Sequence, residues 1–116
     1  MARFVFVSKV LECLTVKDEH EARRCLYERD LELLRVLLYS SFMSIMAIHG
    51  CEGPFTMGVA DYSVAWMGFR DCRDREGAIW QLVELLEDLP GVWYVIVEKH
   101  NGSYVVRSVP LRELWG

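Results

Sequence analysis

The feature that most constrains this chain is a long helical stretch whose second half carries no charge. No glycine or proline lies between Asp18 and Gly50, so we predict one helix that begins near Asp18 and ends at a C-cap on Gly50. From Val36 to Ile48 this helix is apolar nearly all round, relieved only by three serines. A helix that is apolar on every side must be covered on every side. One face of its first half, by contrast, carries charged residues spaced three and four apart: Glu21, Arg24, Glu28, Glu32 and Arg35.

The apolar half of this helix therefore predicts a partner. One face is expected to pack on the sheet of the same domain, and a second copy of the chain is expected to cover the other, because monomers seldom expose large apolar patches. Tyrosine is enriched at interfaces and methionine adapts its shape to a partner. The alternative is that the tail or a long loop of the same chain wraps the second face. The residues expected at the interface are Tyr39, Phe42, Met43 and Met46.

Strand and helix patterns alternate through the rest of the chain. Residues 3–16 are rich in valine and phenylalanine and are predicted to form an interior strand. Residues 55–69 predict a hairpin that turns near Asp61-Tyr62, although one long strand is the alternative. A second helix is expected to begin after an N-cap at Asp71 or Asp74 and to reach Leu89. Its buried stripe is expected at Ile79, Val83 and Leu86, with Leu82 beside it.

The clearest local signal is the pair Asn101-Gly102. Two strands, 92–99 and 104–109, flank it, and Asn-Gly is the sequence that a type I′ hairpin turn favours. This turn places Lys99 opposite Tyr104. The tail that follows is expected to dock through Trp115.

The order of these elements, β-α-(ββ)-α-ββ, predicts an α+β fold. The economical packing is a two-layer sandwich in which two helices cover one face of a mostly antiparallel sheet of four or five strands. At 116 residues, the chain is expected to form a single compact domain, 1–116.

Composition bounds the environment of the protein. The net charge is −4, so no general positive field attracts nucleic acid or an anionic membrane. The apolar stretch of the first helix is shorter than a membrane span, and no secretory signal is evident, so we expect a cytoplasmic protein without a membrane partner. The single glutamine and single asparagine favour a thermophilic source.

The four cysteines leave their redox state open. Cys13, Cys25, Cys51 and Cys72 are widely spaced and form no close pair. In a mesophile's cytosol they would be reduced and buried, whereas intracellular disulfides occur in hyperthermophiles. The sequence does not choose among the three pairings that four cysteines allow.

A small-ligand site is one alternative function. His49 and Cys51 lie at the end of the first helix, and Asp61 lies at the predicted hairpin tip, so the three could bind a ligand or act in catalysis. The competing interpretation is a capping histidine beside a structural cysteine, with an ordinary turn aspartate. Paired metal-binding cysteines and phosphate-binding glycine loops are missing from the sequence, and we expect no metal and no cofactor.

Nucleic-acid binding is a further alternative. Arginines at positions 70, 73 and 75 lie near Trp66, and arginines with aromatics can hold single strands. Acidic residues alternate with Arg70, Arg73 and Arg75, however, and a salt-bridged surface loop explains the pattern equally well. The sequence therefore favours a non-enzymatic protein–protein interaction module. Its expected partner is a second copy of the chain, and the dimer is expected to belong to a larger assembly with other protein subunits.

Overall fold

The computed structural model describes residues 18–114. The chain divides into two compact units, Met1–Leu37 and Leu38–Gly116. Helix α1 (Glu19–Ile48) carries the chain from the first unit into the second. It ends at Gly50, whose φ of 61° is the left-handed conformation that glycine adopts at a helix C-cap. The predicted start near Asp18 and the predicted cap at Gly50 are both confirmed.

A short two-stranded ribbon follows α1. Strand β1 (Cys51–Glu52) pairs antiparallel with β4 (Asp71–Cys72), and Cys51 lies directly opposite Cys72. No sequence pattern predicts this ribbon, because strands of two residues have no detectable periodicity.

The chain between the two ribbon strands forms the predicted hairpin. Strands β2 (Thr56–Asp61) and β3 (Val64–Phe69) pair antiparallel, and the turn falls at residues 62–63. Asp61 fixes this turn, because its Oδ1 accepts hydrogen bonds from the backbone N–H and from the hydroxyl of Ser63, at 2.9 and 3.2 Å. The alternative of one long strand is excluded.

Helix α2 (Arg75–Glu87) begins at the N-cap Asp74, whose side chain accepts a hydrogen bond from the Gly77 N–H at 3.1 Å. Of the two N-caps that the sequence offered, Asp74 is the one used. The buried residues of α2 are Ala78, Leu82 and Leu86. Leu86, and Leu82 beside it, are buried as predicted, whereas Ile79 and Val83 are only half-buried. The small side chain of Ala78 faces the interior, where the sequence pattern favoured the larger Ile79.

The last hairpin matches its prediction. Strands β5 (Val92–His100) and β6 (Ser103–Pro110) flank Asn101 and Gly102, whose φ angles of 50° and 79° are those of a type I′ turn. Lys99 lies opposite Tyr104, as expected. A 3₁₀ turn, Leu111–Leu114, continues from β6.

Within the second unit, the four longer strands form one antiparallel sheet in the order β2-β3-β6-β5. Helix α2 packs against β5 and β6. Ser108 is a buried polar side chain on β6. It accepts a hydrogen bond from the Ala65 N–H and donates one to the Ser63 carbonyl, at 2.9 and 2.8 Å, and so joins the two hairpins.

The molecule thus has the predicted α+β fold, with a four-stranded and a two-stranded antiparallel sheet. Two sequence expectations, the strand at 3–16 and the anchoring by Trp115, lie outside the described residues.

Candidate functional site

The part of α1 that belongs to the second unit, residues 38–48, has one buried face. Leu38, Phe42, Ile45 and Met46 form it, at the spacing of an amphipathic helix. Phe42 and Met46 are each only 1% exposed, and the Phe42 ring meets Phe55 edge to face at a centroid distance of 6.0 Å. Phe42 and Met46 therefore belong to the core and not to the partner surface on which the sequence analysis placed them. Helical geometry turns them toward the same side as Leu38 and Ile45.

The opposite face of this segment is uncharged and open to solvent. Tyr39 is 56% exposed and Ile48 is 72% exposed, whereas Met43 is half-buried. We call this surface the α1 outer face, and it consists of Tyr39, Ser40, Met43, Ser44, Ala47 and Ile48. These residues form two neighbouring ridges with a spacing of four residues, 39-43-47 and 40-44-48, which is the pattern that interdigitates when two helices pack.

A polar groove runs beside the α1 outer face, between α1 and α2. Its volume is about 460 Å³. Hydroxyl groups line one wall and acidic or amide side chains of α2 line the other: Ser40, Ser41, Ser44, Gln81, Glu84 and Asp88. The groove offers hydrogen-bonding groups and negative charge, so it suits the polar rim of an interface.

His49 joins the end of α1 to the start of α2. Its Nδ1 donates to Oδ2 of Asp74 at 2.9 Å, and its Nε2 lies 2.9 Å from the side-chain oxygen of Gln81. Two backbone hydrogen bonds reinforce the junction, from the N–H of Asp74 to the His49 carbonyl and from the N–H of Arg73 to the Gly50 carbonyl. Each ring nitrogen thus lies within hydrogen-bond distance of a side-chain oxygen of the α2 region.

The electrostatics of Asp74 follow from this position. The Gly77 N–H at the helix N-terminus, and secondarily the His49 ring, stabilise the carboxylate and lower the pKa of Asp74. A carboxylate held ionised by a helix N-terminus and a histidine is a structural link between two helices.

Cys51 is bonded to Cys72 in a disulfide that closes the β1–β4 ribbon. A thiol in a disulfide is neither a nucleophile nor a metal ligand, so the catalytic role considered for Cys51 requires a reduced form that this structure does not have. Among residues 18–114, no group of three or more His, Cys, Asp or Glu side chains is placed to hold a metal ion.

Asp61, the third member of the proposed ligand site, has other partners. It binds Ser63 within its own turn and forms an ion pair with Arg112 from the chain's last described turn. Burial alone would raise the pKa of Asp61, but the Ser63 N–H and the Arg112 guanidinium outweigh it and leave that pKa lowered. Asp61 thus joins the turn between β2 and β3 to the 3₁₀ turn after β6. Within residues 18–114, it shares no hydrogen-bond partner with His49.

The arginines considered for nucleic-acid binding are not grouped with Trp66. Arg75 forms an ion pair with Asp71 at 2.9 Å and lies 5.2 Å from the Tyr104 ring centroid. The hydrogen bond from the Arg75 guanidinium lowers the pKa of Asp71, and a second one from the Cys72 N–H lowers it further. Trp66 and Phe69 are three residues apart on one strand and therefore face opposite sides of the sheet. Since Tyr104 pairs and stacks with Phe69, Arg75 and Trp66 lie on opposite sides.

The other two arginines have contacts of their own. Arg73 packs its side chain close to Gly50 at the helix junction, and Arg70 is an exposed residue whose N–H binds the Glu52 carbonyl. The structure therefore places no cluster of Arg70, Arg73 and Arg75 around this tryptophan.

Length and composition alone also qualify one segment of the described chain, Asp30–Ile48, as a possible membrane span. Most of this window is not buried within the protein. It nevertheless contains the buried residues Leu38, Phe42, Ile45 and Met46, which are part of the domain core.

Sequence reasoning missed two contributions to these surfaces. Gln81 is exposed, and its side chain also lies 2.9 Å from the His49 ring, a contact between residues 32 positions apart that no local pattern reveals. The exposure of Ile48, by contrast, was detectable, because Ser40 and Ser44 precede it at a spacing of four and mark the solvent side of the helix.

No model of a known protein family, no curated protein and no solved structure matches this chain.

Proposed function

We propose that this protein is a small non-enzymatic assembly module that forms a homodimer through the α1 outer face. The observation that carries the proposal is an exposed helix surface without a single charge between Arg35 and His49. Surfaces of soluble proteins are normally rich in charged side chains, and contiguous apolar exposure marks sites of association.

The two ridges of the α1 outer face support a second copy as the partner. In a two-fold dimer the same ridges and grooves meet themselves, so one helix surface suffices for both sides of the contact. The serines and Ala47 allow two helix backbones to approach closely, while Tyr39 and Ile48 supply the apolar area. Burying a large apolar side chain contributes about 1.5–3 kcal/mol, and the two-fold doubles each contribution.

The helix junction supports a structural rather than an enzymatic interpretation. His49 is held by Asp74 and Gln81, and Cys51 is held in a disulfide. Two of the three residues that the sequence offered for catalysis thus take part in the connection between α1 and α2, which supports a structural role for them.

The proposed setting is the cytoplasm of an organism that lives at high temperature. Intracellular disulfides are a known feature of hyperthermophiles, and the Cys51–Cys72 bond accords with the low amide content of the chain. A homodimer is the proposed minimal unit, and further protein subunits are proposed to join it.

The test is sedimentation velocity over a concentration series. Wild-type protein is expected to sediment as a dimer at micromolar concentration. Tyr39→Glu and Ile48→Glu are each expected to shift it to monomer, because the dimer would bury a charge against its own copy. Leu111→Glu is the matched control, since it places the same charge on an exposed leucine outside α1.

Two results would contradict the proposal. One is a wild-type protein that stays monomeric at every concentration. The other is flotation with phospholipid vesicles that Ile48→Glu abolishes, which would make the Asp30–Ile48 segment a membrane contact instead.

A further inference from the structure

Strand β5 lies at one edge of the four-stranded sheet. It has β6 on one side, and in the described part of the chain no strand pairs with its other side. At nine residues it is the longest strand in that sheet. Its sequence from Val92 to Val97 consists entirely of β-branched and aromatic residues, which are the strongest strand formers.

The hairpin turn determines which backbone groups of β5 point away from β6. In a two-residue hairpin loop the flanking pair, His100 and Ser103, exchanges hydrogen bonds, and bonded pairs then alternate along the ladder. Glu98 and Ile96 therefore bond inward to β6. The N–H and C=O groups of Val95, Val97 and Lys99 point outward, with no partner strand among residues 18–114.

This edge is only partly protected. Natural edge strands avoid pairing by means of lysines, prolines and bulges. In β5, a register shift between Val92 and Tyr94 disfavours pairing at one end, and the charged side chain of Lys99 disfavours it at the other. The stretch between them, residues 94–98, contains no lysine, proline or bulge, and Val97 within it is 43% exposed.

We infer that β5 pairs antiparallel with β5 of a second copy, about a two-fold axis at Ile96. A two-fold axis perpendicular to the sheet keeps each side chain on the same face of the joined sheet. Residues directly opposite each other in an antiparallel pair share a face, so the axis must pass between one residue and its own copy. Centring on Glu98 or Lys99 would set like charges opposite each other, which is unfavourable.

Of the remaining centres, Ile96 gives the most complementary register. Centring on Val97 would set Glu98 opposite Ile96, and centring on Val95 would carry the pairing into the irregular residues next to Val92. Centring on Ile96 places Val95 opposite the partner's Val97, and these two exchange both of their outward hydrogen bonds. The two four-stranded sheets then join into one continuous sheet.

This contact goes beyond the proposed function, because β5 and the α1 outer face share no residue. A chain with two different two-fold contacts assembles into units larger than a dimer. The β5 edge thus supplies a second interface through which the proposed dimers assemble.

The test introduces one cysteine at the predicted axis. Ile96→Cys is expected to form a disulfide-linked dimer under a mild oxidant such as diamide, because a non-hydrogen-bonded antiparallel pair has its Cα atoms about 4.5 Å apart. Tyr94→Cys is the matched control, since Tyr94 faces Glu98 of the partner subunit and no second cysteine meets it. Both variants are made in the Ile48→Glu background, which removes the proposed α1 contact.

A second variant tests the hydrogen bonds. Val97→Pro removes an N–H that points outward, so the β5–β6 ladder and the circular dichroism spectrum are expected to persist. Cross-linking of Ile96→Cys is expected to fall about tenfold or more when Val97→Pro is added. Equal cross-linking of the two cysteine variants, or cross-linking that Val97→Pro leaves unchanged, would overturn the inference without touching the α1 dimer.

Discussion

Removal of the Cys51–Cys72 disulfide is expected to destabilise the fold by about 3 kcal/mol. The two cysteines are 21 positions apart, and the loop they close contains the whole β2–β3 hairpin. Closing a loop of this length lowers the entropy of the unfolded chain by roughly 11 cal/mol/K, which corresponds to about 3.3 kcal/mol at 25 °C. The Cys51→Ala/Cys72→Ala variant should therefore unfold at a urea concentration lower by about 1–3 M, and its Tm should fall by about 13 °C.

The assay compares both single variants with the double variant, using urea unfolding followed by circular dichroism. Because either substitution opens the loop, Cys51→Ala alone should lose nearly as much free energy of unfolding as the double variant. Two independent packing contributions would instead add together. Additive losses, or a total loss below about 1 kcal/mol, would refute the loop-closure reasoning.

Two further predictions concern the helix junction and the sheet. The lowered pKa of Asp74 means that this group stabilises the fold above its unfolded value of 3.8, and the contribution is lost as the pH falls through the lower folded pKa. Urea unfolding of Asp74→Asn from neutral to strongly acidic pH should accordingly show a weaker loss of stability on acidification than wild type; an identical profile would contradict the assignment. Gly58→Ala should displace the indole of Trp66, because a Cβ at Gly58 would overlap that ring. The expected readouts are a changed tryptophan emission and a loss of about 1–3 kcal/mol, and Ala60→Ser on the same strand should change neither.

The elements that the sequence predicted best are those whose signals are local. Asn101-Gly102 encodes its own turn, because asparagine and glycine are among the few residues that readily adopt positive φ angles. Gly50 ends α1 for the same reason, and Asp74 caps α2 through a carboxylate that reaches a nearby N–H. In each case the decisive interaction spans at most a few residues.

The parts that sequence reasoning could not predict depend on distant partners. The β1–β4 ribbon pairs Cys51 with Cys72 across an intervening hairpin, and neither strand is long enough to show a period. The buried face of α1 was predicted incorrectly because Phe42 and Tyr39 are both large and largely apolar, so either could lie in the core or on the surface. Contacts with residues distant in sequence, such as that of Phe42 with Phe55, decide which of them is buried. The edge position of β5 likewise depends on strand order, which hydrophobic pattern does not encode.

The strand order β2-β3-β6-β5 also has a kinetic consequence. Each hairpin joins neighbours in sequence and can close quickly, whereas β3 and β6 must find each other across the whole of α2. Long loops are slow to close, so we expect the pairing of β3 with β6 to be the slowest step of folding. The hydroxyl of Ser108, bonded to both Ser63 and Ala65, joins the two hairpins at that seam, so its hydrogen bonds are expected to form in the same late step.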